Sequence, residues 1–150
     1  MKVRKISKTE VNKLLECIMA LSAHHNQISV NFKGCYPVRP YDATLKMFAD
    51  NLENGTSEIG VIEISEKVAG FCKIDIHQNS GKLDYLMVLE EYRGNGYGKL
   101  LMDWAMERFS KYNVSCIEVK VIYGNETIHL YEKYGFKMSA QILWLRHDSK

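Results

Sequence analysis

The chain has 150 residues, 46% hydrophobic and 25% charged, which suits one folded domain with a real core and excludes a disordered chain or a pair of domains. Its 20 Lys and Arg against 18 Asp and Glu leave a formal charge of +2, too small a field to gather nucleic acid or to coat a membrane surface. Nothing approaches the roughly 20 apolar residues of a membrane span, and Cys17, Cys35, Cys72 and Cys116 lack metal-ligand spacing, so packed, reduced thiols, no metal and a cytoplasmic location are expected.

The basic start (Lys2, Arg4, Lys5, Lys8) precedes an apolar stretch that is short and interrupted by Glu16, unlike a signal peptide. A strand is predicted over residues 2–6, and Ser7 with Glu10 three positions on has the spacing of a capping box. Val11, Leu14, Leu15, Ile18, Met19 and Leu21 recur at three and four, the stripe of an amphipathic helix ending near residues 22–25. His24 and His25 would close it, solvated, where cations suit the dipole. Residues 26–39 show neither period and contain Gly34 and Pro37, which predicts a long loop of the kind that carries function.

Pro40 opens a second helix that turns Leu45, Phe48, Ala49 and Leu52 inward, and Asn54-Gly55 ends it. From Ser57 the period becomes two. Ile59, Val61, Ile62 and Ile64 mark a strand, residues 65–67 a tight turn, 68–77 its antiparallel partner and 82–89 a further strand apolar enough to be central. Leu100, Leu101, Trp104, Ala105, Arg108 and Phe109 trace a third helix, and Ile117, Val119 and Val121 another strand. Thr127, Leu130, Tyr131 and Tyr134 mark a short helix stopped by Gly135, and residues 136–145 alternate as a closing strand through Met138, Ala140, Ile142 and Trp144. The order predicts a single mixed α/β domain over 1–150, its sheet flanked by about four helices.

One segment stands out. "YRGNGYGKLL", residues 92–101, packs three glycines into five positions where a strand hands over to a helix. The dinucleotide pattern GxGxxG fails at Lys99 and Leu101, and the Walker pattern fails at Arg93 and Leu100. The physics still points to an anion: a helix start carries unpaired N–H groups and about half a positive charge. Glycines admit positive φ and remove side chains that would block a phosphate, and Arg93 adds a forked cation. The plainer reading is a turn that lets helix and strand pack closely.

"LDYLMVLEEYRGNGYGKLLMDWAME" resembles the signature of the GCN5-related N-acetyltransferases, whose [QR]xxGx[GA] element is matched by Arg93, Gly94, Asn95, Gly96, Tyr97 and Gly98; "NETIHLYEKYGF" resembles that family's second landmark. The resemblance covers the predicted element order from end to end. It implies the family's fold, a mixed, mostly antiparallel sheet whose strands splay at the cofactor site. It implies transfer of an acetyl group from acetyl-coenzyme A to a primary amine of a small molecule or peptide. Residue by residue, Leu86, Met87 and Val88 would offer the strand edge to the pantetheine arm, with an N–H near Val88 polarising the thioester carbonyl. The segment Arg93, Gly94, Asn95, Gly96, Tyr97, Gly98 and Lys99 would hold the pyrophosphate.

Asp84 falls where many members carry an acidic residue, and would serve as general base or else face water at the strand's end. Tyr131 matches the landmark tyrosine beside the coenzyme sulfur, and equally the inward face of a short helix. Asn125 precedes Tyr131 by six residues where the family's Asn precedes by seven, so it contacts the pantetheine or caps the helix. His77 is an alternative base. Tyr36, Tyr41, Asp42 and Tyr85 would line an acceptor cleft formed by the first helix, residues 27–39 and the second helix. A homodimer stays open. The rival reading is a non-catalytic sensor that binds coenzyme A.

Overall fold

A computed structural model describes residues 1–147. Strand β1 (Arg4–Lys5) leads to a 3-10 turn (Lys8–Leu14) and helix α1 (Leu15–Ile28). The predicted capping box forms, with the Ser7 N–H donating to the Glu10 carboxylate at 3.0 Å, so the helical segment begins where the sequence places it. It ends later than predicted. The turn from Ser22 onward stays helical to Ile28, which leaves His24 and His25 half-buried within the helix instead of solvated at its end. Burial pushes the His25 imidazole down to about 4.

Helix α2 (Tyr41–Glu53) follows a loop, with Pro40 as its N-cap residue. Strands β2 (Ser57–Ile64), β3 (Lys67–His77) and β4 (Ser80–Val88) form an antiparallel meander. Helix α3 (Tyr97–Lys111), strand β5 (Cys116–Val119) and helix α4 (Ile128–Lys133) complete the described elements. The sheet order is β1-β2-β3-β4-β5, antiparallel except for the parallel β4/β5 pair. Such a pair needs a crossover, which α3 supplies.

Each strand alternates its side chains between two faces, and both faces are covered. One core joins Leu14, Ile18, Phe48, Val61, Phe71 and Met87 beneath α1 and α2. The other joins Ile62, Cys72, Leu83, Leu101, Ala105 and Tyr131 beneath α3 and α4. No helix of the described residues is long and apolar enough to cross a membrane.

Two strand expectations are corrected. The strand read through Val121 stops at Val119. Residues 136–145 form no strand among the described residues; Phe136 packs against the α3/α4 core, while Met138, Ile142, Leu143 and Leu145 are exposed. Period two fixes which side chains share a face, but a strand also requires its main chain to meet an edge, and in the described residues this segment meets none.

A polar cluster ties α3 to β2. Glu58, 8% exposed, accepts two hydrogen bonds from the Arg108 guanidinium at 2.6 and 2.8 Å and one from the Tyr112 hydroxyl. Burial alone would raise its carboxyl; the bonds from Arg108 and then Tyr112 outweigh it and hold the group below its ordinary value. Stability from a depressed carboxyl is fully present above about pH 4.3 and is lost as pH falls through the lower folded value. Glu58→Gln is therefore expected to lower Tm at pH 7, with the gap to wild type shrinking below about pH 4 in a calorimetric pH series. A gap that stays constant to pH 3 contradicts this account.

Candidate active site

The sheet opens on one side of β4. Its pairing with β5 covers only Ser80 to Leu83 against Cys116 to Val119, while its pairing with β3 continues to Val88 against Gly70. The Leu89 N–H donates to the Ala69 carbonyl at 2.8 Å. Main-chain groups alternate sides along a strand, so the N–H and C=O of Val88 and Leu86 point to the edge that β5 has left. Met87 faces the other way, registered opposite Phe71, and buries its side chain in the α1/α2 core. The Arg93 Nε donates to the Val88 carbonyl at 3.0 Å, which stations its guanidinium at the lip of the opening.

Directly beyond, the chain prepares a helix start without capping it. Gly94 and Gly96 hold φ of 85° and 81°, a left-handed conformation that L side chains resist. The Asn95 side-chain amide donates to the Tyr92 carbonyl at 2.9 Å and fixes the turn. Gly96 is the N-cap residue of α3; no side chain caps it and no acidic residue lies in the first turn. The first closing bond runs from the Leu100 N–H to the Gly96 carbonyl at 3.1 Å, leaving the amides of Tyr97, Gly98 and Lys99 without an intrahelical acceptor. Among the described residues, nothing beyond the adjoining chain lies within 4 Å of where a Cβ at 94, 96 or 98 would stand. Open amides at a positive dipole end, with Arg93 alongside, fit a diphosphate. The Lys99 ammonium is engaged along the helix with Asp103 at 2.7 Å.

Tyr131 rises from the α4 side into the same region, 6% exposed and packed with Cys72, Leu83 and Leu101. Burial, and secondarily Cys72, pushes its hydroxyl up to about 12, so at neutral pH it stays protonated and has a proton to donate. The hydroxyl has no hydrogen-bond partner among the described residues, yet no fully buried side-chain polar atom there is unpaired. The oxygen therefore keeps some contact with solvent. Asn125 spends its side-chain oxygen locally, accepting from the Thr127 N–H at 2.9 Å and the Thr127 hydroxyl at 2.6 Å, which organises the start of α4.

Asp84 lies on the opposite face of the sheet. Lys73 registers opposite Tyr85 and Ile74 opposite Leu83, so Asp84 is the extra residue of a β-bulge. Its carboxylate meets the Lys73 ammonium at 2.9 Å, and Lys73 is 1% exposed and also touches Asp75 at 2.6 Å. Asp75 accepts from the Ser57 hydroxyl at 2.5 Å. The carboxylate thus neither faces water alone nor stands free; it serves as counterion to a buried cation. Sequence reading missed Lys73, although a lone lysine in "VAGFCKIDIH" is the signal that could have found it.

Around this triad sit Phe48, 5.3 Å from the Lys73 ammonium, and Tyr85, stacked on Phe71 at 5.9 Å. Burial and then Asp84 raise the Tyr85 phenol, opposed by Arg39 from the loop before α2. Arg39 is a second residue that pattern reading passed over. Tyr36 instead contacts His25 and Trp144, at 5.2 and 6.1 Å, its backbone clamped by the Asn26 side chain through two bonds of 2.9 Å. Tyr41 packs at the edge of the α1/α2 core, and the Asp42 carboxylate accepts from the Ala43 N–H at 2.9 Å. The expectation that His77 borders the cleft is corrected: it pairs with Ser80 at the closed end of the β3/β4 hairpin, about 26 Å of strand from Val88. His24 lies near Arg93, which together with the larger effect of burial lowers its imidazole pKa.

A family model described as the acetyltransferase (GNAT) family matches residues 21–136. No curated protein matches the chain at a significant level. Among solved structures, a tetramutant of the BH1408 protein from Bacillus halodurans is 17% identical with a TM-score of 0.78, over 97% of this chain and 99% of that one. The PaiA N-acetyltransferase from Thermoplasma acidophilum, solved with coenzyme A, is 18% identical with a TM-score of 0.74, over 95% and 94%. A predicted acetyltransferase from Clostridium acetobutylicum, solved with acetyl-CoA, is 18% identical with a TM-score of 0.72, over 97% and 95%.

Proposed function

We propose, for a chain that belongs to the acetyltransferase (GNAT) family, that it transfers an acetyl group from acetyl-coenzyme A to a primary amine of a small molecule or peptide. The observation that carries the reading is the uncapped start of α3, with left-handed Gly94 and Gly96, lying flush with the unpaired edge of β4. A diphosphate fits the first feature and an extended amide-bearing arm fits the second. Arg93, Gly94, Asn95, Gly96, Tyr97, Gly98 and Lys99 are the proposed phosphate cradle. Leu86 and Val88 offer main-chain groups to the arm, flanked by Met87, and Asn125 retains a side-chain N–H2 for it.

When bound, the coenzyme supplies an activated thioester; the chain supplies placement and protons. The Val88 N–H, directed into the opening, is the donor for the thioester carbonyl oxygen. Tyr131, protonated at neutral pH, donates to the departing sulfur. An incoming ammonium with pKa near 10 must lose a proton first, and Asp84, held beside Lys73 at 2.9 Å, accepts it through water on the acceptor side.

Tyr131→Phe is expected to lower kcat about 100-fold with little change in coenzyme affinity, in line with a lost general acid. Free thiol release in single- and multiple-turnover assays checks it, and an unchanged kcat removes Tyr131 from the chemistry. One observation favours a second reading, a coenzyme A sensor: a carboxylate committed to a buried ammonium is a poor free base. Thiol release from acetyl-coenzyme A across an amine panel separates the two. Turnover with any amine supports transfer, whereas tight binding with no release from any of them supports the sensor.

A further inference from the structure

We propose, resting on the acetyl-transfer reading, that the amine this chain acetylates also carries a carboxylate, and that Arg39 with Tyr85 grips that carboxylate on the α1/α2 side of β4. Tyr85 is a fixed post: its ring stacks on Phe71 at 5.9 Å and meets Phe48 of α2 edge-on at 5.0 Å. Burial and then Asp84 push its phenol up, so at neutral pH the hydroxyl keeps a proton to donate. The Arg39 guanidinium stands at that hydroxyl, close enough to oppose the upward shift. Its backbone is anchored on both sides. Three residues earlier the Asn26 side chain clamps Tyr36 through two bonds of 2.9 Å, and one residue later Pro40 is the N-cap residue of α2, its carbonyl accepting from the Thr44 N–H at 3.1 Å.

The other charges of this side already have partners. Lys73 lies between Asp75 and Asp84 at 2.6 and 2.9 Å, Ser57 donates to Asp75, and Lys82 stands 3.6 Å from Asp84. The Asp42 carboxylate accepts from the Ala43 N–H. Arg39 is exposed and, among the described residues, pairs with no carboxylate. A guanidinium presents its N–H donors as a rigid fork that matches a carboxylate with two parallel bonds. One such cation beside a neutral phenol suits a monoanion. A phosphate dianion finds no second unspent cation here, and the far ammonium of a polyamine finds no unspent carboxylate.

Position along the strand sets the length of the acceptor. Tyr85 precedes Val88, the proposed donor to the thioester, by three residues, about 10 Å of strand. Amine and acid must therefore be several bonds apart, as in an ω-amino acid, the side chain of a diamino acid or a short peptide with a free carboxyl end. An α-amine beside its own carboxylate cannot reach both places.

Thiol release from acetyl-coenzyme A with ε-aminocaproate and with triglycine, each against its carboxamide, tests this. The acid is expected to exceed its amide in kcat/KM by at least about tenfold for one of the two pairs, through KM, in line with charge-assisted hydrogen bonds. Arg39→Gln is expected to bring that ratio to about one, and Arg39→Lys to restore it only in part, because a point charge lacks the fork. A ratio near one for wild type in both pairs, or a ratio that survives Arg39→Gln, overturns the proposal. Should Arg39→Gln fail to fold, the wild-type ratio and its fall in Arg39→Lys decide. If no amine turns over, the acetyl-transfer reading fails by itself, and the grip is read from NMR titrations of ε-aminocaproate and its amide into the coenzyme A-loaded protein. Tighter binding of the acid by wild type but not by Arg39→Gln supports it; equal binding of acid and amide by wild type overturns it.

Discussion

Replacing Gly96 with Glu is expected to weaken coenzyme A binding by at least about 100-fold, or some 2.7 kcal/mol, in a calorimetric titration. Two effects add. At φ of 81° any L side chain costs about 1–2 kcal/mol relative to glycine, which tilts the first amides of α3 out of line. A carboxylate at the N-cap then satisfies those amides itself and opposes an incoming diphosphate. Gly96→Ala separates the two, since it carries the backbone cost without the charge and should lose markedly less affinity. The first-turn amides have no competing cap, so nothing else in the loop would absorb the change. Undiminished binding by a folded Gly96→Glu protein would remove the phosphate assignment, and with it the proposed orientation of the coenzyme.

The second large effect is expected at Lys73. Its ammonium is 1% exposed between Asp75 and Asp84, and removing one partner of a buried ion pair costs about 3–5 kcal/mol because the other charge stays uncompensated. Asp84 and Asp75 are 18% and 31% exposed, so water reaches them in part and the lower end, about 3 kcal/mol, is the appropriate figure. At roughly 2–4 °C per kcal/mol for a chain of this size, Lys73→Met should lower Tm by about 6–12 °C. Adding Asp84→Asn to Lys73→Met should recover part of that loss, because the second change removes a carboxylate left with only the partly exposed Lys82, at 3.6 Å. If Lys73→Met melts within about 2 °C of wild type, the triad is no structural pair, and the account of Asp84 as a counterion fails. The same variant bears on chemistry, since it removes the ammonium that fixes where the Asp84 carboxylate sits.

Much of this molecule was readable from local pattern. The Ser7 and Glu10 spacing, the stripes of α1, α2 and α3, and the period-two runs of β2 to β4 all depend on neighbours within a few residues, where steric and hydrogen-bond rules act directly. The glycine-rich handover from β4 to α3 belongs with them, since positive φ at Gly94 and Gly96 is a property of residue type. Errors appeared where a residue's role depends on what lies across space. The sequence pattern predicts His24 and His25 at a solvated helix end, but α1 runs on and half-buries them. The pattern predicts His77 near the cleft, but strand register sends it to the far end of the hairpin.

Sequence alone determined the types of most elements and the anion-shaped turn, because each is encoded by residue identity at short spacing, while Tyr131 and Asp84 were named for the site by family resemblance. Tertiary structure alone decided that β5 parts from β4 after Leu83, that a bulge turns Asp84 onto a buried Lys73, and that Tyr131 approaches from the other face. It also decided that residues 136–145 stay unpaired. Alternation specifies which side chains share a face, but a strand exists only where another chain segment meets its hydrogen bonds, and that depends on the whole fold or on a second molecule.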